Sequence, residues 1–231
     1  MSWTRTTVSA AGKLTADPLA FLQSNLVIVP FNGDGRDTPD EPIELVLYTM
    51  PPDKGAAQDR AGNPVGLYFL TLARILKMVS PQGIPAGPPF KAYFCPYRDN
   101  DTLGTTISSK ANMMFTTAMD GCSFGIGSAT PSGARMVYHS NLASMGSASA
   151  PTQQGDAQNT TLSLVLGSTL GHIFGPNDYR SSDGGGLQRS TTVGLRALNT
   201  GQWHFFSQVY SSLPAVGMKA VFQLREVKQI V

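Results

Sequence analysis

The sequence predicts an α+β fold, with a β-sandwich-like core of mixed or antiparallel sheets, or one strongly bent sheet, flanked by a few helices. Three observations predict it. Charged residues are only 14% of the 231-residue chain, where ~25% is usual. Glycine (24) and proline (16) together make about one residue in six, so turns are frequent. Short apolar or alternating runs recur between these turn clusters, and one longer stretch carries a helical period. Without repeats or a clear linker, residues 1–231 read as a single domain.

Residues 1–25 are polar and weakly patterned, and read as a loosely attached leader with a turn of helix near "DPLAFLQ". "LVIVPF" (26–31) and "IELVLYTM" (43–50) read as strands separated by the turn cluster "NGDGRDTPDEP". "PPDKGAAQDRAGN" (51–63) reads as loop. The helix is expected from Asn63 as cap and Pro64 at the first position, with Phe69, Leu72, Ala73, Leu76 and Val79 at helical spacing. "KAYFCPY" (91–97) is a strand that buries Cys95, and "RDNDTLG" (98–104) a turn. Residues 142–159 read as a surface loop and "TTLSLVLGS" (160–168) as a strand. "GPNDYRSSDGGGLQ" is a second long loop, whose "YRSSDGGG" part is expected to border the active cleft. "TTVGLRALN", "QWHFFSQVY" and "MKAVFQLREV" are three late strands, the first two joined by an "NTG" hairpin turn.

The net charge is +2 and no basic stripe with interleaved aromatics is present, which argues against a nucleic-acid partner. No run approaches the ~18 apolar residues of a membrane span, and the N-terminus lacks a secretory signal. Two cysteines do not make a disulfide framework, so both are expected to be thiols in a reducing compartment. Three histidines and two cysteines without metal-ligand spacing predict no metal and no cofactor. The glycine clusters at 33–35 and 184–186 precede no helical pattern, so neither reads as a phosphate cradle. His204 alternates with apolar neighbours and reads as structural, and His172 as loop or strand end.

The chemistry concentrates in "FTTAMDGCSFGIGSATPSGARMVYHS" (115–140). Cys122, Phe124 and Ile126 alternate with Ser123, Gly125 and Gly127, so a strand begins at the cysteine. "ATPSG" is turn chemistry and "ARMVYHS" a second strand. Antiparallel partners then have residue numbers summing to near 263, and Cys122 and His139 sum to 261. They are expected to be neighbours, directly or diagonally, across the open end of the hairpin. An imidazole beside a thiol activates it as a nucleophile for acyl transfer. Gly121 allows a tight approach, and the backbone N–H groups of Gly121 and Cys122 are candidate oxyanion donors. A third group normally holds the imidazole. Thr116 could supply a hydroxyl if "MMFTTA" runs beside the hairpin, and Asp120 and Asn141 stand closer in sequence.

"FTTAMDGC" with His139 seventeen residues after the cysteine resembles the Cys–His–Thr protein glutamine deamidases. That superfamily includes the cytotoxic necrotizing factor catalytic domain, the Burkholderia lethal factor and the chemotaxis-receptor deamidase CheD. The resemblance covers about 112–141 well and 190–212 loosely, and the first hundred residues carry none of it. Asp120 stands where the toxins usually have serine. The resemblance implies Cys122 as nucleophile, His139 as base and acid, and Thr116 as the residue that orients His139. It also implies a protein substrate whose glutamine becomes glutamate, a small GTPase or translation factor in the toxins, and delivery of a bacterial product into a host cytosol. Two other classes compete: another Cys–His acyl-transfer enzyme (transglutaminase or cysteine protease), and a non-enzymatic β-sandwich binding module.

Overall fold

The computed structural model describes residues 8–30, 40–145, 151–180, 187–216 and 219–231. Two short helices open it, α1 (Ala10–Ala16) and α2 (Pro18–Ser24). The strands that follow are β1 (Asn25–Ile28), β2 (Ile43–Thr49), β3 (Gly55–Gln58) and β4 (Pro64–Leu72), then a one-turn helix α3 (Leu76–Val79). Next come β5 (Ile84–Pro85), β6 (Phe90–Cys95), β7 (Asp101–Ile107), β8 (Met113–Thr116), β9 (Ser123–Gly127) and β10 (Arg135–Asn141). Helix α4 (Pro151–Leu166), β11 (Leu170–Phe174) and α5 (Pro176–Tyr179) precede β12 (Gln188–Arg196), β13 (Trp203–Val216) and β14 (Lys219–Gln229).

The strands form two sheets. A ten-stranded mixed sheet runs β1-β4-β3-β14-β13-β12-β8-β6-β2-β5, and an additional β2–β4 pairing joins its two ends so that it curls back on itself. A four-stranded antiparallel sheet runs β11-β9-β10-β7. The expected α+β class and the bent, sandwich-like core are therefore found.

Two large apolar clusters sit on the two faces of the curled sheet. One joins α1 and α2 to it through Leu14, Leu22, Val27, Leu45, Leu70 and Phe115. The other lies between the sheets, where Tyr93, Met114, Trp203 and Phe205 meet Phe124, Ile126, Val137 and Phe174. The candidate nucleophile Cys122 belongs to this second layer. Helix α4 covers the outer face of the small sheet. Gly125 makes that possible, because a Cβ there would sit 2.9 Å from Leu162 Cδ2. The alternation in "SFGIG" thus separates Phe124 and Ile126, packed inward, from small residues under a helix.

Several sequence expectations are corrected. Residues 10–24 are no loose leader: Leu14 and Leu22 are fully buried, and Ser9 and Asp17 cap α1 and α2. Residues 1–7 lie outside the described residues. The helix expected from Asn63 is mostly strand β4, with a 3-10 turn at 73–75 and α-helix only at 76–79. The Asn63 side chain donates to Asp59 in the β3–β4 turn instead of capping a helix. Strand β4 pairs with β1, β2 and β3, and such a strand reads as a continuous apolar run in which a helical period appears by accident. Strand β3 lies within the expected 51–63 loop, and β7 begins within the expected 98–104 turn. The expected loop and strand over 142–168 are largely α4, apart from 146–150, outside the described residues. Its inward residues are Gln158, Leu162 and Leu166. A stripe of two leucines and a glutamine gives little apolar signal.

Candidate active site

The hairpin of β9 and β10 has the expected register: Ile126 faces Val137, Phe124 faces His139 and Ser123 faces Ser140, each pair summing to 263. Cys122 lies one residue before β9, and one more step of the same register sets it opposite Asn141. His139 is thus the diagonal neighbour of Cys122 on the inward side of the small sheet, two positions along β10. Both are buried, Cys122 3% and His139 1% exposed.

The turn before the cysteine is clamped from several directions. Gly121 has φ +88°, a conformation that favours glycine, and a Cβ there would sit 3.0 Å from Arg180 Nη2. Its N–H donates to Tyr179 Oη at 2.8 Å, and Tyr179 Oη donates onward to the Cys122 carbonyl at 3.0 Å. The Gly121 carbonyl accepts from Gln154 Nε2 at 3.2 Å and Gln158 Nε2 at 3.1 Å, both from α4. Gln158 Oε1 in turn accepts from Ser123 Oγ at 2.7 Å. Asp120 lies 3.1 Å from Arg180 Nη2 and 3.4 Å from Arg189 Nε. Its charge is therefore balanced by two guanidinium groups.

Burial sets the electrostatics. The Cys122 thiol is pushed up to about 12, chiefly by desolvation and further by the Asp120 and Asp99 carboxylates. The Asp120 backbone hydrogen bond and the Arg180 charge oppose the rise. Burial pushes His139 down to about 3. In this arrangement the pair is a neutral thiol and a neutral imidazole, not a thiolate–imidazolium pair. Among the described residues, neither ring nitrogen of His139 has a hydrogen-bond partner.

None of the three groups weighed as its orienting partner reaches it. Thr116 is fully buried in β8, in the large sheet and not beside the hairpin. Its hydroxyl donates to the Thr117 carbonyl at 2.9 Å and accepts from Thr192 N–H at 3.3 Å. Asp120 faces the arginines, and Asn141 Nδ2 donates to Tyr97 Oη. The Gly121 N–H, proposed as an oxyanion donor, is held by Tyr179. What touches His139 is Tyr97: the ring centroids are 5.0 Å apart at 61°, an edge contact.

Sequence reading missed Tyr97, Gln154, Gln158 and Tyr179. Only Tyr179 carried a signal, as the first residue of the loop expected to border the cleft. The part of that loop at 181–186 lies outside the described residues, as does the 33–35 cluster. Tyr179 and Arg180 also line a hollow of about 320 Å³ with Val209 and Glu226. Cys95 is a core thiol, its Sγ 3.8 Å from the Val137 carbonyl, and neither cysteine is in a disulfide. His172 is half-buried in β11. His204 lines a separate cavity of about 560 Å³ with Phe90, Met113, Leu195 and Arg196.

No protein-family model and no curated protein sequence matches the chain. Among solved structures, it is similar to the C-terminal domain of CNFy from Yersinia pseudotuberculosis, with a TM-score of 0.39 and 11% identity over 94% of this chain and 95% of that one.

Proposed function

We propose that the chain is a Cys–His protein glutamine deamidase, acting as a bacterial toxin or effector on a protein of the host cytosol. The observation that carries this reading is the hairpin register, which makes His139 the diagonal neighbour of Cys122 beside a rigidly clamped Gly121 turn. The Thr116, Gly121, Cys122 and His139 spacing supports the same reading through its resemblance to the deamidases. With the thiol held at about 12 and the imidazole at about 3, proton transfer between them is uphill as the pair stands, so the first step requires their burial to be relieved.

In the proposed reaction His139 takes the thiol proton as sulfur bonds to the carboxamide carbon of a substrate glutamine. The oxyanion is met by the Cys122 N–H, because the Gly121 N–H serves Tyr179. The C–N bond then breaks as nitrogen takes the proton from His139 and leaves as ammonia. Water, giving a proton to His139, attacks the thioester. Sulfur departs, regains that proton, and the product is glutamate. The target class carried from the resemblance is a small GTPase or a translation factor.

The test is mass spectrometry of candidate targets incubated with the full chain. Amide-to-acid conversion at one glutamine is expected, and loss of it in both Cys122→Ser and His139→Ala. A cleaved target would mean a protease, and a Cys122→Ser protein that still converts glutamine would end the proposal.

A further inference from the structure

Cys122 and His139 are too buried to meet a macromolecular substrate as they stand. The aromatic ring packed against His139 belongs to neither strand of the hairpin. Tyr97 lies just beyond β6, is itself half-buried, and presents its ring to His139. Its hydroxyl donates to Asp99 Oδ1 and accepts from Asn141 Nδ2. Asn141 also approaches Asp99 Oδ1 at 3.5 Å and accepts from Ala143 N–H at 2.9 Å. By register, Asn141 is the residue opposite Cys122. One phenol therefore spans the pair: its ring is against the imidazole and its hydroxyl is tied to the cross-strand neighbour of the thiol.

We propose that Tyr97 is the positioning residue of the Cys122–His139 pair and its cover, latched by Asp99 and Asn141. Two facts argue for a latch over a fixed wall. Asp99 is exposed, so water can replace it as the acceptor of the Tyr97 hydroxyl. The imidazole has no hydrogen bond to any of the described residues, so among them its orientation rests on packing against Tyr97 and its other neighbours. With the latch closed, the ring is held and the sulfur is dry. With it open, solvent and substrate reach both. Groups that bear on the thiol are Asp120 from its own turn, Arg180 and Tyr179 from around α5, Asp99 and Tyr97 from the segment after β6, and His139 from β10. Of these, the proposed opening moves only Tyr97 and Asp99. The catalytic consequence rests on the deamidase reading, while the cover does not.

The experiment is iodoacetamide modification of the full-length protein across pH, with peptide masses separating Cys122 from Cys95. Tyr97→Phe keeps the ring and removes the latch; Tyr97→Ala removes both. Loss of a hydrogen bond to a carboxylate is expected to speed Cys122 modification about tenfold in Tyr97→Phe, and further in Tyr97→Ala. Cys95 stays unmodified. The midpoint of the pH–rate curve moves down toward the ordinary thiol value of ~8.5. Tyr97→Phe reacting at the wild-type rate with the wild-type pH midpoint would overturn the proposal. Should Tyr97→Ala expose Cys95 as well, its fold has loosened and the isosteric Tyr97→Phe result alone decides. Deamidation is a separate readout. Unmasking of Cys122 in Tyr97→Phe, with no glutamine converted by the wild type, would leave the cover standing and remove the deamidase reading. Conversion by the wild type, with no unmasking, would do the reverse.

Discussion

Replacing Tyr179 with phenylalanine tests whether the turn before Cys122 is held as described. The Tyr179 hydroxyl joins the Gly121 N–H at 2.8 Å to the Cys122 carbonyl at 3.0 Å, and the residue is only 2% exposed. Phenylalanine fills the same space against Phe174, whose ring centroid is 5.7 Å away, so apolar packing is preserved. What is lost is the partner of two buried backbone groups. Leaving one such group unsatisfied costs about 1–3 kcal/mol. The Gly121 carbonyl remains tied to Gln154 and Gln158, which keeps the turn from swinging out to water. We therefore expect the lower half of the summed range, about 2–4 kcal/mol. For a chain of this size that lowers the melting temperature by roughly 4–16 °C. Urea denaturation should show a lower midpoint with an unchanged slope. A Tyr179→Phe protein within about 0.5 kcal/mol of wild type would mean that Tyr179 does not hold the turn.

Other predictions concern the same few residues. Gly121→Ala forces a side chain into a positive-φ position 3.0 Å from Arg180 Nη2 and should cost about 1–3 kcal/mol, read as a lower urea midpoint. Asp120→Asn removes a carboxylate that raises the Cys122 thiol; the alkylation midpoint should move down, while stability changes by no more than about 1 kcal/mol, since Asp120 is surface-exposed. His139 is held near 3 when folded and returns to about 6.5 when unfolded. Below 6.5 the unfolded chain binds the extra proton, so His139 favours folding above that pH and loses its contribution as pH falls toward 3. Between pH 6.5 and 5 wild type should lose about 2 kcal/mol that His139→Ala does not lose; equal losses in urea titrations at the two pH values would refute the burial of a neutral imidazole.

The parts legible in the sequence were those set by neighbours along the chain. The β9–β10 register follows from a turn and a period of two, both contained in the 115–140 stretch, which is why residue spacing alone pairs Cys122 with His139. The late strands were legible for the same reason, as turn-bounded runs with partial alternation. Strand β4 and helix α4 were misread because their sequences contradict their periods. The first is apolar nearly throughout, and the second turns glutamines inward to hold the Gly121 carbonyl.

What surrounds the pair was decided by tertiary structure alone. Thr116 stands six residues before the cysteine, yet its hydroxyl is spent on Thr117 and Thr192, because β8 belongs to the large sheet. Tyr179 reaches the turn from 57 residues away along the chain, Gln158 from 37, and Tyr97 meets the imidazole from across the fold. A local pattern can pair two strands because both ends of the interaction lie within one turn's reach. Which side chain then caps, clamps or covers them depends on how the two sheets stack, and no spacing within one segment encodes that. The sequence by itself thus determined the α+β class and the Cys122–His139 neighbourhood. The packing of the two sheets decided that the pair is buried and neutral, with the Tyr97 ring against the imidazole.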